Sequence, residues 1–181
     1  MDVKCKSNFR KENQMELNFI KDYIAKELHD ITWNAQKQTT CKRKGVGCSI
    51  IEISQDSIVK VISTFNGPSN YRFQCTNEIG NCGCAHAEQK AIIGFLKAMR
   101  LGDNKSTKIM LCTYSPCTNC ANIIIESRVI DGIVYDILTE HDKRGMEMLK
   151  KVMDVITLEE LKKGNADAIL RRWEKSGPES K

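Results

Sequence analysis

The chain has 181 residues, 41% of them hydrophobic, and a formal net charge of +5. This length fits one globular domain with its own core, and so mild a charge gives no grounds for nucleic-acid binding. The longest apolar runs, at 91–96 and 121–125, are too short to span a membrane. Residues 1–14 are polar and charged, without the apolar stretch of a signal peptide, so we expect a cytoplasmic protein.

The spacing of apolar residues predicts one α/β domain at 15–175, between the polar segment at 1–14 and a flexible tail at 176–181. In chain order the predicted elements are a helix at 15–38, a hairpin of strands at 45–53 and 57–65, a loop at 69–84, a helix at 86–100, a strand at 108–113, a helix at 116–128, a strand at 133–138, a helix at 144–153, a strand at 155–156, and helical structure up to residue 173. This order predicts a mixed sheet with helices on both faces. The first two strands should be antiparallel and the later ones, joined through helices, parallel.

Nine cysteines stand in the sequence, several of them in C-x-C and C-x-x-C pairs. In a chain long enough to form its own core, an odd and clustered set indicates metal ligands and reduced thiols rather than disulfides. Cys117 and Cys120 are three residues apart, and so they share one face of the helix that Pro116 is predicted to open. The positive end of that helix favours thiolates, which are the forms that bind metal.

A second segment, Ala-His-Ala-Glu at 85–88, begins the other helix of interest. With Cys117 and Cys120, His86 makes three protein ligands for zinc, and catalytic zinc sites leave the fourth position to water. Because two thiolates cancel the charge of the ion, a neighbouring base is needed, and Glu88 is placed to be that base. The combination H-x-E with P-C-x-x-C is the signature of zinc-dependent deaminases, in which the glutamate is the general acid and base and not a ligand.

Other cysteines leave alternatives open. A closed structural zinc site would need a fourth ligand, which Cys84 or Cys112 could supply. The loop before His86 offers a second, structural zinc site, and the alternative there is a set of reduced thiols. The candidate ligands of that second site are Cys75, Cys82 and Cys84, to which Cys41 could be added. Cys48 and Cys112 lie in predicted strands, where they are expected to be small core residues.

These motifs resemble the cytidine deaminase-like superfamily, and over roughly residues 40–155 the chain is most similar to the deoxycytidylate (dCMP) deaminases. The closer resemblance is carried by Val-Gly-Cys-Ser-Ile-Ile at 46–51, Ser-Thr-Phe-Asn-Gly-Pro at 63–68, the approach to the His-Ala-Glu motif at 82–88, and residues 116–125. The resemblance implies a single-domain, three-layer α/β/α fold with a five-stranded mixed sheet. It also implies one catalytic zinc ion and conversion of dCMP to dUMP and ammonia.

The same resemblance implies roles for single residues. Asn66 would contact the deoxyribose, a backbone group beside Ala87 would contact the base, and Glu88 would carry a proton from water to N3 of cytosine. Two positions depart from the family pattern. Lys90 stands where these enzymes commonly have asparagine, and His141 stands where they often have an aromatic residue. Both lie near the expected position of the sugar and phosphate, so they bear on the choice of substrate.

The leading prediction is an enzyme that acts on a free, small-molecule nucleotide. Candidates for the phosphate contact are the basic residues at 42–44, Lys90, Lys143 and Arg144. One alternative is deamination of a base in RNA or single-stranded DNA, and another is a nucleoside or modified-nucleotide cytidine deaminase. A polynucleotide substrate calls for a basic track with exposed aromatic residues, which an aromatic content of 6% does not favour. A zinc-stabilised binding protein without catalysis is a third alternative, and the intact Glu88 argues against it.

A homo-oligomer is also expected, because related deaminases build active sites near subunit contacts. The predicted helix at 144–153 carries more apolar side chains than one core-facing stripe requires. These side chains are Met146, Met148, Leu149 and Val152. The helix is therefore the first candidate for a subunit interface.

Overall fold

The computed structural model describes residues 3–54, 57–70, 72–99 and 106–163, with side chains from residue 18 onward except that of His141. The strands are β1 (Gly47–Ser54), β2 (Ser57–Phe65), β3 (Gly67–Pro68), β4 (Cys84–Ala85), β5 (Thr107–Tyr114), β6 (Gly132–Ile137) and β7 (Asp154–Thr157). The helices are α1 (Val3–Gln38), α2 (Ala87–Ala98), α3 (Thr118–Ser127), α4 (Lys143–Lys150) and α5 (Leu158–Lys162), with a 3-10 turn at Glu140–Asp142 before α4.

A five-stranded mixed sheet runs through the middle of the domain in the order β2-β1-β5-β6-β7. β1 is antiparallel to both β2 and β5, and Cys48 of β1 lies opposite Cys112 of β5. β5, β6 and β7 are parallel to one another. The predicted hairpin and the predicted parallel strands are both confirmed. The parallel strands require crossover connections, and α3 and α4 provide them.

The two faces of the sheet bury different residues, because neighbouring side chains on a strand point to opposite faces. One core contains Ile50, Met110 and Ile133 of the sheet together with Phe95 of α2, and α3 and α4 complete it. The opposite core is made by α1 and α5, and its sheet residues include Leu111. The three-layer α/β/α arrangement with helices on both faces is therefore confirmed.

Helix α1 confirms the helix predicted at 15–38 from apolar residues at spacings of three and four, and it begins earlier than predicted. Ile20, Ile24, Leu28 and Ile31 are all buried against the sheet. The helix begins at Val3, twelve residues before the expected start at residue 15. The physical reason is local: residues 3–14 are rich in Lys, Arg, Glu and Gln and contain neither glycine nor proline, so nothing in them ends a helix.

The segments at the end of the chain are only partly described. α4 ends at Lys150, and β7 is two residues longer than the predicted strand at 155–156. α5 begins at a capping box in which Thr157 accepts from the Glu160 N–H while Glu160 accepts from the Thr157 N–H. The predicted helical continuation to residue 173 and the predicted tail at 176–181 lie outside the described residues. Among the described helices, none combines the length and apolarity needed to cross a membrane.

Candidate active site

His86, Cys117 and Cys120 converge at the first turns of two helices on the same side of the sheet. His86 is the N-cap residue of α2 and Cys117 is the N-cap residue of α3, and both have extended backbone. Pro116 therefore lies before the cap of α3, not in its first turn as predicted. Cys117, at the cap, and Cys120, in the first turn, therefore both stand at the N-terminal end of α3. Two helix N-termini thus direct their positive ends at the cluster.

The distances within this three-residue cluster fit a tetrahedral metal ion. Nδ1 of His86 lies 3.5 Å from Sγ of Cys117 and 3.3 Å from Sγ of Cys120. Zinc bonds of the usual length, with tetrahedral angles, would separate a nitrogen and a sulfur ligand by about 3.6 Å. Among the described residues neither Cys84 nor Cys112 is part of this cluster. The alternative of a closed site with one of them as fourth ligand is therefore not supported.

Hydrogen bonds within the cluster shift the pKa values of its three side chains in different directions. The pKa of Cys117 falls to about 4, first because the Cys120 thiol donates a hydrogen bond to it and also because His86 does. The same bond raises the pKa of Cys120, which holds the proton. The pKa of His86 rises to about 9, chiefly through its hydrogen bond to Cys117. A zinc ion would replace these protons, since zinc binds thiolates and neutral imidazole.

Glu88 is the buried carboxyl group beside the cluster. It belongs to the first turn of α2, and only 4% of its surface is exposed. In the described part of the chain no hydrogen-bond partner reaches its Oε2 atom. Burial raises the pKa of Glu88 to about 7. A buried polar oxygen without a partner is costly unless a bound group completes the site, so the residues present fit a metal ion with its water.

The loop that carries Cys117 is held by residues that the sequence analysis did not single out. Ser115 is buried, and its N–H donates to the Ile137 carbonyl at 2.8 Å. Its hydroxyl accepts from the Thr139 N–H at 3.0 Å, and the Thr139 hydroxyl donates to Asp142. These contacts tie together the carboxyl ends of β5 and β6. The position of Ser115, directly before Pro116 at the end of a predicted strand, was the available signal.

Gly145 of α4 is another residue that sequence reasoning missed. A Cβ atom there would lie 2.6 Å from the Pro116 carbonyl oxygen and 2.8 Å from the Cys117 carbonyl carbon. Both are backbone atoms, so they cannot give way as a flexible side chain would. α4 therefore packs directly on the segment that positions the cysteine ligands, and only glycine allows that approach.

The residues predicted to contact substrate are held by hydrogen bonds to neighbouring segments. The Ala87 carbonyl accepts from the Thr64 hydroxyl at 2.7 Å. The Asn66 side chain donates to the Lys44 carbonyl at 2.8 Å and accepts from the Val46 N–H at 2.9 Å. The Asn66 side chain therefore links the segment before β1 to the end of β2 through hydrogen bonds. Lys90 is half-buried on α2, one turn after His86, whose carbonyl accepts from the Lys90 N–H.

Among the basic candidates, Lys44 contacts an aromatic residue close to the cysteine segment. Its Nζ atom lies 3.2 Å from the centre of the Tyr114 ring, a cation–π contact. Tyr114 ends β5, three residues before Cys117. Lys42 and Arg43 are exposed nearby in the chain, and Lys143 pairs with Glu140 at 2.8 Å.

A second group of thiols, the four-cysteine cluster, combines three cysteines of the segment before His86 with one from the segment before β1. Its Sγ atoms all lie within 4.8 Å of one another. Burial raises the pKa of Cys84, while the Lys42 N–H lowers that of Cys75 to about 7. The members are Cys41, Cys75, Cys82 and Cys84. Cys48 and Cys112 are instead fully buried in the sheet, with their sulfurs 4.0 Å apart, as expected for core residues.

Comparison with known proteins agrees with this geometry. The family model for the cytidine and deoxycytidylate deaminase zinc-binding region matches residues 22–136. The dCMP deaminase of cyanophage S-TIM5, in complex with dCMP and dUMP, is similar at a TM-score of 0.56 and 22% identity, covering 87% of this chain and 98% of that one. The apo form of the cyanophage enzyme gives a TM-score of 0.53 and 24% identity, covering 76% of this chain and 96% of that one.

A diaminohydroxyphosphoribosylaminopyrimidine deaminase/5-amino-6-(5-phosphoribosylamino)uracil reductase from Thermotoga maritima has a TM-score of 0.53 and 18% identity, covering 83% of this chain and 42% of that one. The comparison with curated proteins gave no match. At these identities the solved structures establish a shared fold. The family match spans more than half of the chain and contains both the His-Ala-Glu segment and the two cysteines. The chain therefore belongs to the cytidine and deoxycytidylate deaminase family.

Proposed function

We propose that this protein is a zinc-dependent hydrolytic deaminase that converts dCMP to dUMP and ammonia. The metal ligands are His86, Cys117 and Cys120, and the proton carrier is Glu88. The observation that carries the proposal is the buried Glu88 carboxyl group, whose Oε2 atom lacks a partner within the described residues, beside three ligands at metal-binding distances. A purely structural zinc site would need neither the unpartnered carboxylate nor a free fourth position.

When bound, zinc supplies a Lewis acid that activates water near neutral pH. Glu88 performs the proton transfers: its carboxylate accepts a proton from the attacking water and delivers it to N3 of cytosine. The water oxygen becomes bonded to C4, and Glu88 then takes the second proton of this oxygen and delivers it to N4. The C4–N4 bond breaks, the amino group leaves as ammonia, and C4 keeps the oxygen as the carbonyl of uracil. Burial of Glu88 excludes bulk water, so that the protons pass only between the attacking water, Glu88 and the cytosine.

The base and the sugar are held by groups at the start of α2 and the end of β2. The Ala87 N–H is in the first helical turn, where N–H groups have no partner within the helix, so it can donate to O2 of cytosine. Its carbonyl is fixed by Thr64, which sets the direction of the peptide. Asn66 has two amide hydrogens, one of which is bound to the Lys44 carbonyl, and the other serves the deoxyribose.

The phosphate contact is assigned to Lys44, with Lys90 as a second cation on the wall formed by α2. Lys44 is exposed and stands over the ring of Tyr114. Tyr114 is only three residues before Cys117 in the chain. A charge-assisted hydrogen bond to phosphate is worth about 1.5–3 kcal/mol, or roughly 10–150-fold in kcat/KM. A nucleotide should therefore be turned over with a kcat/KM higher by this factor than a nucleoside, which lacks the phosphate.

Ammonia release from dCMP, CMP, deoxycytidine, dCTP and single-stranded oligonucleotides tests this proposal. We expect dCMP to be turned over fastest, well ahead of deoxycytidine. The Lys44→Ala variant should lose roughly 10–150-fold in kcat/KM on dCMP and little on deoxycytidine, which has no phosphate. Lys97→Ala is the matched control, because Lys97 is an exposed lysine in the last turn of α2, away from the cluster.

Two results would overturn the substrate assignment. Equal rates on dCMP and deoxycytidine would mean that the phosphate is not recognised, and the enzyme would then be a nucleoside deaminase. Turnover of oligonucleotides but not of dCMP, falling steeply with salt as counterion release requires, would instead indicate a polynucleotide substrate. Absence of ammonia from every substrate with zinc bound would contradict the enzymatic role itself.

A further inference from the structure

We propose that the four-cysteine cluster is a second metal site that holds one structural zinc ion through four thiolates. The site fixes the loop between β3 and β4 onto the segment between α1 and β1. It is closed, with four protein ligands, so it differs in kind from the three-ligand cluster beside Glu88. Its ligands come from two parts of the chain: Cys41, and then Cys75, Cys82 and Cys84.

The sulfur positions match a tetrahedral zinc ion. Four thiolates at the usual zinc–sulfur distance stand about 3.8 Å apart along each edge of the tetrahedron. The Cys41 and Cys75 sulfurs are 3.9 Å apart, and all four sulfurs lie within 4.8 Å of one another. A disulfide would bring two sulfurs to about 2.0 Å and would not gather four. Convergence of four thiols on one point is the arrangement that a metal ion requires.

Apart from hydrogen bonds among Thr76, Glu78, Asn81 and Cys82, the loop that the cluster holds has few apolar contacts to order it. Phe73 is 67% exposed and Ile79 is 88% exposed, so the apolar side chains of the loop are not used for packing. In the described part of 69–83, every residue other than Cys75 and Cys82 is exposed. Long segments without secondary structure lose much conformational entropy when they become ordered. Here the cysteines are the more buried side chains, so metal binding would supply the stabilisation that apolar packing does not.

Backbone N–H groups surround the most buried sulfur as they would a thiolate ligand. The Lys42 N–H donates to Cys75 Sγ at 3.4 Å, and the Asn77 N–H donates to the same sulfur. Asn77 has a left-handed backbone, with φ of 69°. Asparagine tolerates this conformation better than most residues. Such donors offset the net negative charge that four thiolates leave around one zinc ion.

The proposed ion also braces the active-site segment. Cys84 and Ala85 form β4, which pairs with Pro68 and Gly67 of β3, and His86 follows directly. Gly67 has φ of +151°, and a Cβ atom there would lie 2.1 Å from the Thr40 hydroxyl oxygen. The residues next to Cys41 and next to Cys84 in the chain are therefore packed closely against β3. Loss of the ion should loosen the approach to His86 as well as the loop.

Metal content per chain, measured by mass spectrometry after exhaustive dialysis, tests the proposal independently of activity. We expect two zinc ions in the wild-type protein and two in Glu88→Gln. Cys82→Ser and Cys41→Ser should each retain one zinc ion, the one beside Glu88. Cys117→Ser should also retain one zinc ion, the one in the four-cysteine cluster. The matched controls are Ile79→Ser, an exposed residue of the same loop, and Cys48→Ala, a thiol of the sheet core, and both should retain two.

Cobalt provides a second measurement that does not depend on how well one variant folds. Cobalt-loaded Cys117→Ser should show strong thiolate-to-metal charge-transfer absorption from the four-cysteine cluster, and the further change Cys82→Ser should weaken it. Limited trypsin digestion at Arg72 should be faster in Cys82→Ser than in Ile79→Ser, because the loop is released.

One zinc ion in the wild-type protein, unchanged by Cys82→Ser, would overturn the proposal. So would a thiol titration in denaturant with chelator that found seven reduced cysteines instead of the nine in the sequence, since two would then form a disulfide. The deaminase proposal can fail while two zinc ions are still found. Activity can equally be present with only one zinc ion, so the two failures are distinguishable.

Discussion

The proposed function gives separate roles to the three residues of the cluster and to Glu88, because they offer different chemistry. His86, Cys117 and Cys120 supply soft donor atoms at distances that suit zinc. Glu88 lies buried beside them with one oxygen unpartnered among the described residues. Under the proposed function, removal of a ligand should release the ion, whereas removal of the proton carrier should leave the ion in place and stop the reaction.

The first prediction separates these roles. Glu88→Gln keeps the shape of the side chain and removes its ability to exchange a proton, so we expect zinc at this site to remain while kcat falls by ~10²–10⁴-fold, the usual contribution of a positioned acid or base. Cys117→Ser and Cys120→Ser should lose both this zinc ion and activity. Zinc content and steady-state kinetics on the same preparations provide the test. Loss of this zinc ion from Glu88→Gln would mean that the glutamate is a ligand.

Among the elements, α2, α3 and α4 determine where the cluster forms. The first two place their N-termini at the proposed metal ligands, and α4 packs across the start of α3 through Gly145. The close contact leaves no room for a side chain, because the atoms opposite it belong to the backbone of Pro116 and Cys117. Helix packing and ligand geometry are therefore coupled at one glycine.

A substitution at that glycine tests the coupling. Gly145→Ala should destabilise the protein by about 1–3 kcal/mol, the usual cost of overpacking, and should weaken zinc binding because the Cys117 segment must move. Gly94→Ala in α2 is the matched control: its Cβ would meet only the Ile62 side-chain methyl, at 3.3 Å. Alanine gains about 1 kcal/mol over glycine in a helix, so that change should be close to neutral or stabilising.

Urea unfolding and zinc competition with a chromogenic chelator measure both effects in the two glycine variants. Equal unfolding midpoints and equal zinc affinities would show that α4 can shift without disturbing the ligands. The same result would remove the proposed coupling between helix packing and the metal.

At the scale of the whole molecule, the surface for self-association differs from the one suggested by the sequence. Met146 and Leu149 of α4 are buried in the core, so they are not free for an interface. Val152 remains 51% exposed. Exposed apolar side chains also lie on the helices that carry the ligands, where Ile93 is 53% and Leu96 is 46% exposed. These α2 side chains are now the better candidates for a subunit contact.

A homo-oligomer stays our prediction. Light scattering at micromolar concentration should give at least twice the mass of one chain. Leu96→Lys should lower that mass, because it introduces a charge into the candidate contact on α2. Val59→Lys on the edge strand β2 is the control, since Val59 is similarly exposed at 55% but lies on a different part of the molecule. A monomer at every concentration would refute the prediction.

The alternation of strands and helices, the antiparallel hairpin and the parallel strands could be predicted from the sequence, because side-chain periodicity and connection length are local properties. Helix boundaries could not be predicted to the residue. Pro116 was expected inside the first turn of α3, but Cys117 forms the cap. The start of α1 was placed at residue 15 because the apolar stripe begins there, although the polar residues before it also favour a helix.

The sequence by itself determined which chemistry to expect, because His86 stands two residues from Glu88 in one motif and Cys117 stands three residues from Cys120 in the other. Only the tertiary structure decided which thiols share a cluster: Cys41 and Cys75 are 34 positions apart, and packing alone brings their sulfurs to 3.9 Å. It also decided that Glu88 is buried with an unpartnered oxygen among the described residues, and that Lys44 lies over Tyr114. Such facts depend on contacts between residues far apart in the chain, and these form only when the sheet and its two helical layers close on each other.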